Sequence, residues 1–261
     1  MSLHVYSTLQ ELSYAAATYI AQLSAEVVAA RGRFIVALSG GSLPKILSST
    51  LAAEPLRSQI DWSAWHVCWA DERCLPPTHP DSNYAVAKEY LFDHVPIPPS
   101  QIYNPDTSLT PAQTAAAYQN TLVHLFNLHA KRLISNLQPP ITTQSVHPST
   151  LPPFDLILLG LGEDGHTASL FPGHPLLNET ERWVAPIFDS PKPPPERITL
   201  TLPVINNART VIFIAAGAGK ADALAEIFGA NESRLPAELV KPASGELRWF
   251  VDEAAAAGLN R

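Results

Sequence analysis

The sequence predicts an α/β protein built on a mostly parallel sheet with helices on both faces. Three observations carry that expectation. Short, near-continuous apolar runs such as "RFIVAL", "FDLILLG" and "RTVIFIAAG" read as strands buried on both sides. Amphipathic helical patterns alternate with them. Glycine-rich and charged stretches fall just after the strands, at the edge where such sheets bind ligands.

Leu9, Leu12, Ala16, Tyr19, Leu23 and Val27 recur at three- and four-residue spacing and predict a helix ending near Gly32. "RFIVALSGG" is a strand stopped by glycines, and "SLPKILSSTL" a helix with Ser42 as its cap and Pro44 in its first turn. "AWHVCWADER" is a second strand carrying Asp71, Glu72 and Arg73 at its end, "CLPPTHP" a loop, and "DSNYAVAKEYLF" a helix capped by Asp81 or Ser82. A helix over residues 111–137 precedes a Pro/Ser/Thr-rich segment at 138–153 that reads as an exposed insertion or loop. "FDLILLG", "RWVAPIF", "RTVIFIAAG" and "ELRWFVD" complete the strands, with "KADALAEIFG" a helix between the last two.

The 261 residues, 46% hydrophobic, suffice for one large α/β domain or two small ones. With 17 basic against 24 acidic side chains and a net charge of −7, the chain lacks the basic face that nucleic acid or an anionic membrane requires. An anion site must therefore be locally positive. Cys68 and Cys74 are too few for a disulfide framework, and with no secretion signal in the opening residues the expectation is a cytoplasmic protein.

Gly160-Leu-Gly162-Glu-Asp-Gly165 fits the G-x-G-x-x-G pattern of dinucleotide sites, with Asp189 roughly where a ribose-binding acid belongs. The dinucleotide fold, however, needs a full helix after the glycines, and Pro172 and Gly173 stop any helix within about two turns. No nucleotide cofactor is expected. The glycines instead serve a tight turn that presents His166, a side chain able to exchange a proton near neutral pH, although a structural histidine is the alternative reading. His174, His124 and His129 lack metal-ligand spacing, so no metal is expected either. "SGGS" at 39–42 can aim backbone N–H groups at a phosphate or simply pack as a small-residue turn. Arg73, Arg197 and Lys220 are candidate anion clamps and Asp71 a candidate acid or hydroxyl acceptor, each otherwise an ordinary surface charge.

Five blocks in this order, "ALSGGSLPKIL", "WADERCLPPTHPDSNY", "LGLGEDGHTASLFPG", "ERITLTLPVINNAR" and "AAGAGKADAL", closely resemble the 6-phosphogluconolactonase family, from Ala37 to Leu224. The resemblance implies a single-domain Rossmann-like α/β/α sandwich over residues 1–261 and hydrolysis of 6-phospho-D-glucono-1,5-lactone without metal or nucleotide. It implies His166 as general base, Asp71 as an assisting residue, and Gly40, Gly41, Ser42, Arg73, Arg197 and Lys220 as the sugar-phosphate grip. Asp164 or Asp71 would stabilise the imidazolium, and N–H groups of the turn around Gly165 are candidate oxyanion donors. The expected partner is the small sugar-phosphate lactone alone, bound by a monomer or weak homo-oligomer. Amino-sugar-6-phosphate deaminases, the related alternative, carry a glutamate five residues after this histidine and "DEY" in the second block. Here those positions are Phe171 and "DER". A non-catalytic sugar-phosphate sensor and a nicotinamide-dependent reductase rank below both.

Overall fold

The computed structural model describes residues 1–133, 153–229 and 234–259. The expected segment at 138–153 lies outside the described residues apart from Pro153, as do the far end of the helix expected to reach residue 137 and the side chain of His129. In chain order the first half contains β1 (Ser2–Tyr6), α1 (Leu9–Arg31), β2 (Phe34–Leu38), α2 (Leu43–Leu51), α3 (Leu56–Gln59), β3 (Trp65–Trp69), β4 (Asp71–Arg73), α4 (Asn83–Ala87) and α5 (Pro111–Leu133). The second half contains β5 (Leu156–Gly160), β6 (Val184–Ile187), β7 (Arg197–Leu200), α6 (Leu202–Ile205), β8 (Thr210–Ala215), α7 (Ala221–Ile227) and β9 (Glu246–Asp252).

Six strands form one wholly parallel sheet in the order β1-β9-β8-β5-β2-β3. Its central strands are buried along their length, as the continuous apolar runs require, and helices flank it. The α1 helix begins where the Thr8 side chain accepts the Glu11 N–H at 3.1 Å, and it ends at Gly32 in the left-handed region.

Three expectations need correction. Asp71, Glu72 and Arg73 do not end the second strand: the chain breaks at Ala70, whose N–H donates to Leu38 O at 2.8 Å, and turns into β4 of a second sheet. That sheet, β4-β7-β6, is antiparallel, so "RWVAPIF" also leaves the parallel sheet. Ser42 stands at the N-cap of α2 but its side chain makes no capping bond, because its own backbone is already helical at φ −79°, ψ −14°. Two strands lie outside the runs that the sequence marks as strands: β1 is a half-buried edge strand, and β7, "RITL", is four residues long and follows a proline-rich stretch. Of the two candidate caps for α4 the structure uses Ser82, whose hydroxyl accepts from Ala85 N.

Candidate active site

The strand order reverses direction at β2: β3 follows it in the chain on one side, while β5 and then β8 lie on the other. Loops leaving β2, β5 and β8 at their carboxyl ends therefore diverge around a crevice, as at the switch point of open α/β sheets. A cavity of about 280 Å³ occupies it, lined by Gly40, Gly41, Ser42, Asp71, Arg73, Gly162, Glu163, His166, Lys192, Arg197 and Lys220 among others. All the sequence-predicted site residues line this cavity except Asp164 and Gly165, which stand behind His166 in its turn.

The β5 loop is closed by its own backbone. Gly162 N donates to His166 O at 2.8 Å and Gly165 N to Gly162 O at 3.1 Å, with Gly165 at φ +78°. Those two N–H groups are consumed inside the turn, so the expectation that they would serve an oxyanion is corrected for this pair. Gly162 is required by close approach: a Cβ there would stand 1.9 Å from His166 Nδ1. No helix follows, and Thr167–Leu170 folds back as an isolated bridge.

His166 Nδ1 is bound to Asp164 Oδ1, which also accepts His166 N–H at 3.3 Å. A carboxylate at Nδ1 selects the Nδ1–H tautomer and leaves the lone pair on Nε2. Phe171 is buried and stacks on the imidazole, ring centroids 4.7 Å apart. Burial pushes the His166 pKa below its ordinary value, against the upward pull of the Asp164 hydrogen bond and charge, with Lys192 adding to the lowering. Desolvation raises Asp164, but its bonds to His166 and Lys192 outweigh it and hold the carboxyl down at about 2.

Asp71 is not bonded to the histidine. Its Oδ2 accepts from Ser169 Oγ at 2.8 Å, and Arg197 Nη1 donates to the same hydroxyl at 3.4 Å. Arg197 spends its other donors on the loop before it, Nε on Pro194 O at 2.9 Å and Nη2 on Lys192 O and Pro193 O at 2.8 and 3.0 Å. It is 3% exposed, so it braces that loop while also lining the cavity. Arg73 pairs directly opposite Arg197 across β4 and β7, donates from Nη1 to Asp81 O, and keeps a buried Nε with no partner. Lys220 sits where a single 3₁₀ turn enters α7, and among the described residues it has no carboxylate partner. The amides of Gly40, Gly41 and Ser42 likewise have no acceptor among the described residues.

Sequence reasoning missed Lys192. Its Nζ lies 3.2 Å from Asp164 Oδ1 and 3.4 Å from His166 Nδ1. "DSPKPPPER" reads as a surface proline loop, and the available signal was only that a lone cation shares this segment with Arg197. Among the described residues no three His, Cys, Asp or Glu side chains gather as metal ligands, and no helix is long and apolar enough to cross a membrane.

Known proteins share this arrangement of chain. A human 6-phosphogluconolactonase is 45% identical over 255 residues, 97% of this chain and 91% of its own. A probable chloroplastic 6-phosphogluconolactonase from Oryza sativa subsp. indica is 43% identical over 98% of this chain and 75% of its own. The solved 6-phosphogluconolactonase of Trypanosoma brucei superposes with a TM-score of 0.78 at 31% identity, covering 99% of this chain and 98% of its own. The profile of the family described as glucosamine-6-phosphate isomerases/6-phosphogluconolactonase matches residues 7–249, and this chain belongs to that family.

Proposed function

We propose that the chain hydrolyses 6-phospho-D-glucono-1,5-lactone to 6-phospho-D-gluconate in the oxidative pentose phosphate pathway, the activity its 43–45% identical relatives are named for. The observation that carries the reading is the pairing inside one small cavity of a carboxylate-held imidazole with four cations, Arg73, Lys192, Arg197 and Lys220, against two carboxylates, Asp71 and Glu163. In a protein of net charge −7, that local excess of positive charge selects an anionic ligand. Arginines directly opposed across a strand pair are unfavourable alone and become favourable with an anion beside them.

A lactone is an activated ester, so positioning, one proton acceptor and stabilisation of the tetrahedral oxyanion are sufficient. His166 takes a proton from water at Nε2 as the oxygen attacks C1. Asp164 stabilises the imidazolium, and the same proton passes to the ring oxygen as the C1–O bond opens. Lys192, beside this pair, is placed to oppose the developing negative charge. Arg73, Lys220 and the unengaged amides at Gly40, Gly41 and Ser42 hold the phosphate. Asp71, tied to Ser169 and Arg197, orients the sugar side of the site. The reaction is assigned to the cytoplasm, in a monomer or weak homo-oligomer; the two unpaired thiols suit a reducing compartment.

The deciding experiment generates the lactone with a glucose-6-phosphate dehydrogenase and follows acid release above spontaneous opening. His166→Ala is expected to lose at least about 100-fold in kcat with KM little changed. Equal rates for variant and wild type would remove the histidine from the mechanism.

A further inference from the structure

Asn83 belongs to neither the cavity wall nor the core, yet it touches both halves of the site. It is fully buried as the first residue of α4. Its Nδ2 donates to Asp71 O at 2.8 Å, and its amide group lies against Gly40 with the oxygen end nearest. A Cβ at Gly40 would fall 1.8 Å from Asn83 Oδ1 and 2.3 Å from Cγ. The glycine at position 40 is thus required by Asn83. That Oδ1 is buried with no hydrogen-bond donor, a costly condition for an amide oxygen. Flipping the amide would relieve nothing, because it would set the oxygen against the Asp71 carbonyl. A Gly40 Cα–H pointing at Oδ1 supplies only a weak contact.

The backbone of Asn83 is held as firmly as its side chain. Glu72 lies on the opposite face of β4 from Asp71 and Arg73, since side chains alternate along a strand. Its buried carboxylate accepts from Arg73 N at 2.7 Å, Asn83 N at 2.8 Å and Tyr84 N at 2.8 Å, with Ser82 Oγ at 3.3 Å. One side chain thereby ties the start of α4 to β4, and Asn83 extends the tie to the loop after β2. That loop follows a strand of the parallel sheet whereas β4 belongs to the antiparallel one, and Ala70, between β3 and β4, touches the end of β2 through its bond to Leu38 O.

We propose that Asn83 is a positioning residue, its amide setting the span between the glycine loop at Gly40 and the strand bearing Asp71 and Arg73. The inference rests on the functional reading above and deepens it. The phosphate is gripped from both sides of this seam, whereas the ester end of the substrate meets His166 on the β5 loop, which Asn83 does not touch. Loosening the seam therefore weakens recognition of the phosphate more than the chemistry at C1. A residue needed only for folding would not distinguish the two ends.

The test compares Asn83→Ala with wild type on 6-phosphogluconolactone and on glucono-1,5-lactone, which lacks the phosphate, with thermal melting run alongside. The expected result is a fall of about 10- to 100-fold in kcat/KM for the phosphorylated lactone, mainly through KM, and less than about threefold for the other. Equal losses on both lactones, or full activity on both, would overturn the proposal. Should Asn83→Ala not fold, Asn83→Asp keeps the shape while removing the donor to Asp71 O, and the same split is expected. A second arm uses the close approach itself. Gly40→Ala alone is expected to lose more than Asn83→Ala, and the double variant to lose no more than Asn83→Ala, because the added methyl then occupies the vacated space. Multiplicative losses in the double variant would mean the two positions act separately. Titration calorimetry with 6-phosphogluconate on each protein reads the grip without turnover. A failure of the His166 prediction with the phosphate-dependent split intact would thus count against the hydrolytic mechanism and not against the role of Asn83.

Discussion

Asp164 and Lys192 pull the titration of His166 in opposite directions, and the two effects can be separated. The base works as neutral imidazole, so kcat/KM should rise with pH through an inflection below 6.5, the ordinary value from which burial has lowered it. Asp164→Asn removes the carboxylate that stabilises the imidazolium, so the inflection should move to lower pH, and the plateau should fall as the base weakens and its tautomer is freed. Lys192→Met removes a nearby positive charge, so the inflection should move to higher pH. Shifts of the same sign in pH–rate profiles of the two variants would refute this account of the electrostatics. Asp164 lies two residues before its partner and was legible as a candidate in the motif itself. Lys192 is 26 residues away from His166 and meets it only because the loop after β6 returns over the cavity, braced by Arg197.

The glycine turn after β5 is the element whose purpose can be read from its pattern. Its resemblance to a dinucleotide fingerprint dissolves because proline follows within two turns, and the structure shows a turn that closes on itself, with no helix after it. Gly162→Ala should leave the fold intact, since the loop is at the sheet edge, but should drive the imidazole from its place. A loss in kcat comparable to that of His166→Ala, with an unchanged far-UV spectrum, is expected. Retained activity would show that the ring can be carried elsewhere. The β4 element was illegible for the opposite reason. Three charged residues at the end of a ten-residue stretch read as one strand carry no mark that the pairing changes from parallel to antiparallel. That change depends on β7, more than a hundred residues later, arriving with Arg197 opposite Arg73. The Glu72 carboxyl, pushed up to about 7 by burial despite three backbone donors, is the cost of anchoring that short strand from below.

Across the whole molecule, the end of the sheet opposite the cavity is held by a different device. Asp155 is buried at the start of β5, accepts Ile35 N–H at 2.9 Å, bonds Arg31 at the end of α1, and lies 3.7 Å from Arg209 Nε. Burial raises its pKa, against the pull of the Ile35 amide and the arginines. Asp155→Ala should therefore destabilise by about 2–3 kcal/mol in urea denaturation, with kinetic constants unchanged for the folded fraction. A stability within experimental error of wild type would mean water replaces the carboxylate. By itself the sequence determined the layer architecture, the parallel core strands, the histidine turn and a cluster of cations near the strand ends. The first three are written in periodicity or in residues a few positions apart, and the cations only in their places just after strands. Only the tertiary structure decided that two cations oppose each other across a second sheet, that Lys192 joins the His166–Asp164 pair, and that Asn83 sits against Gly40. Those contacts join segments distant along the chain, and local sequence carries no record of which distant side chain will fill a given space.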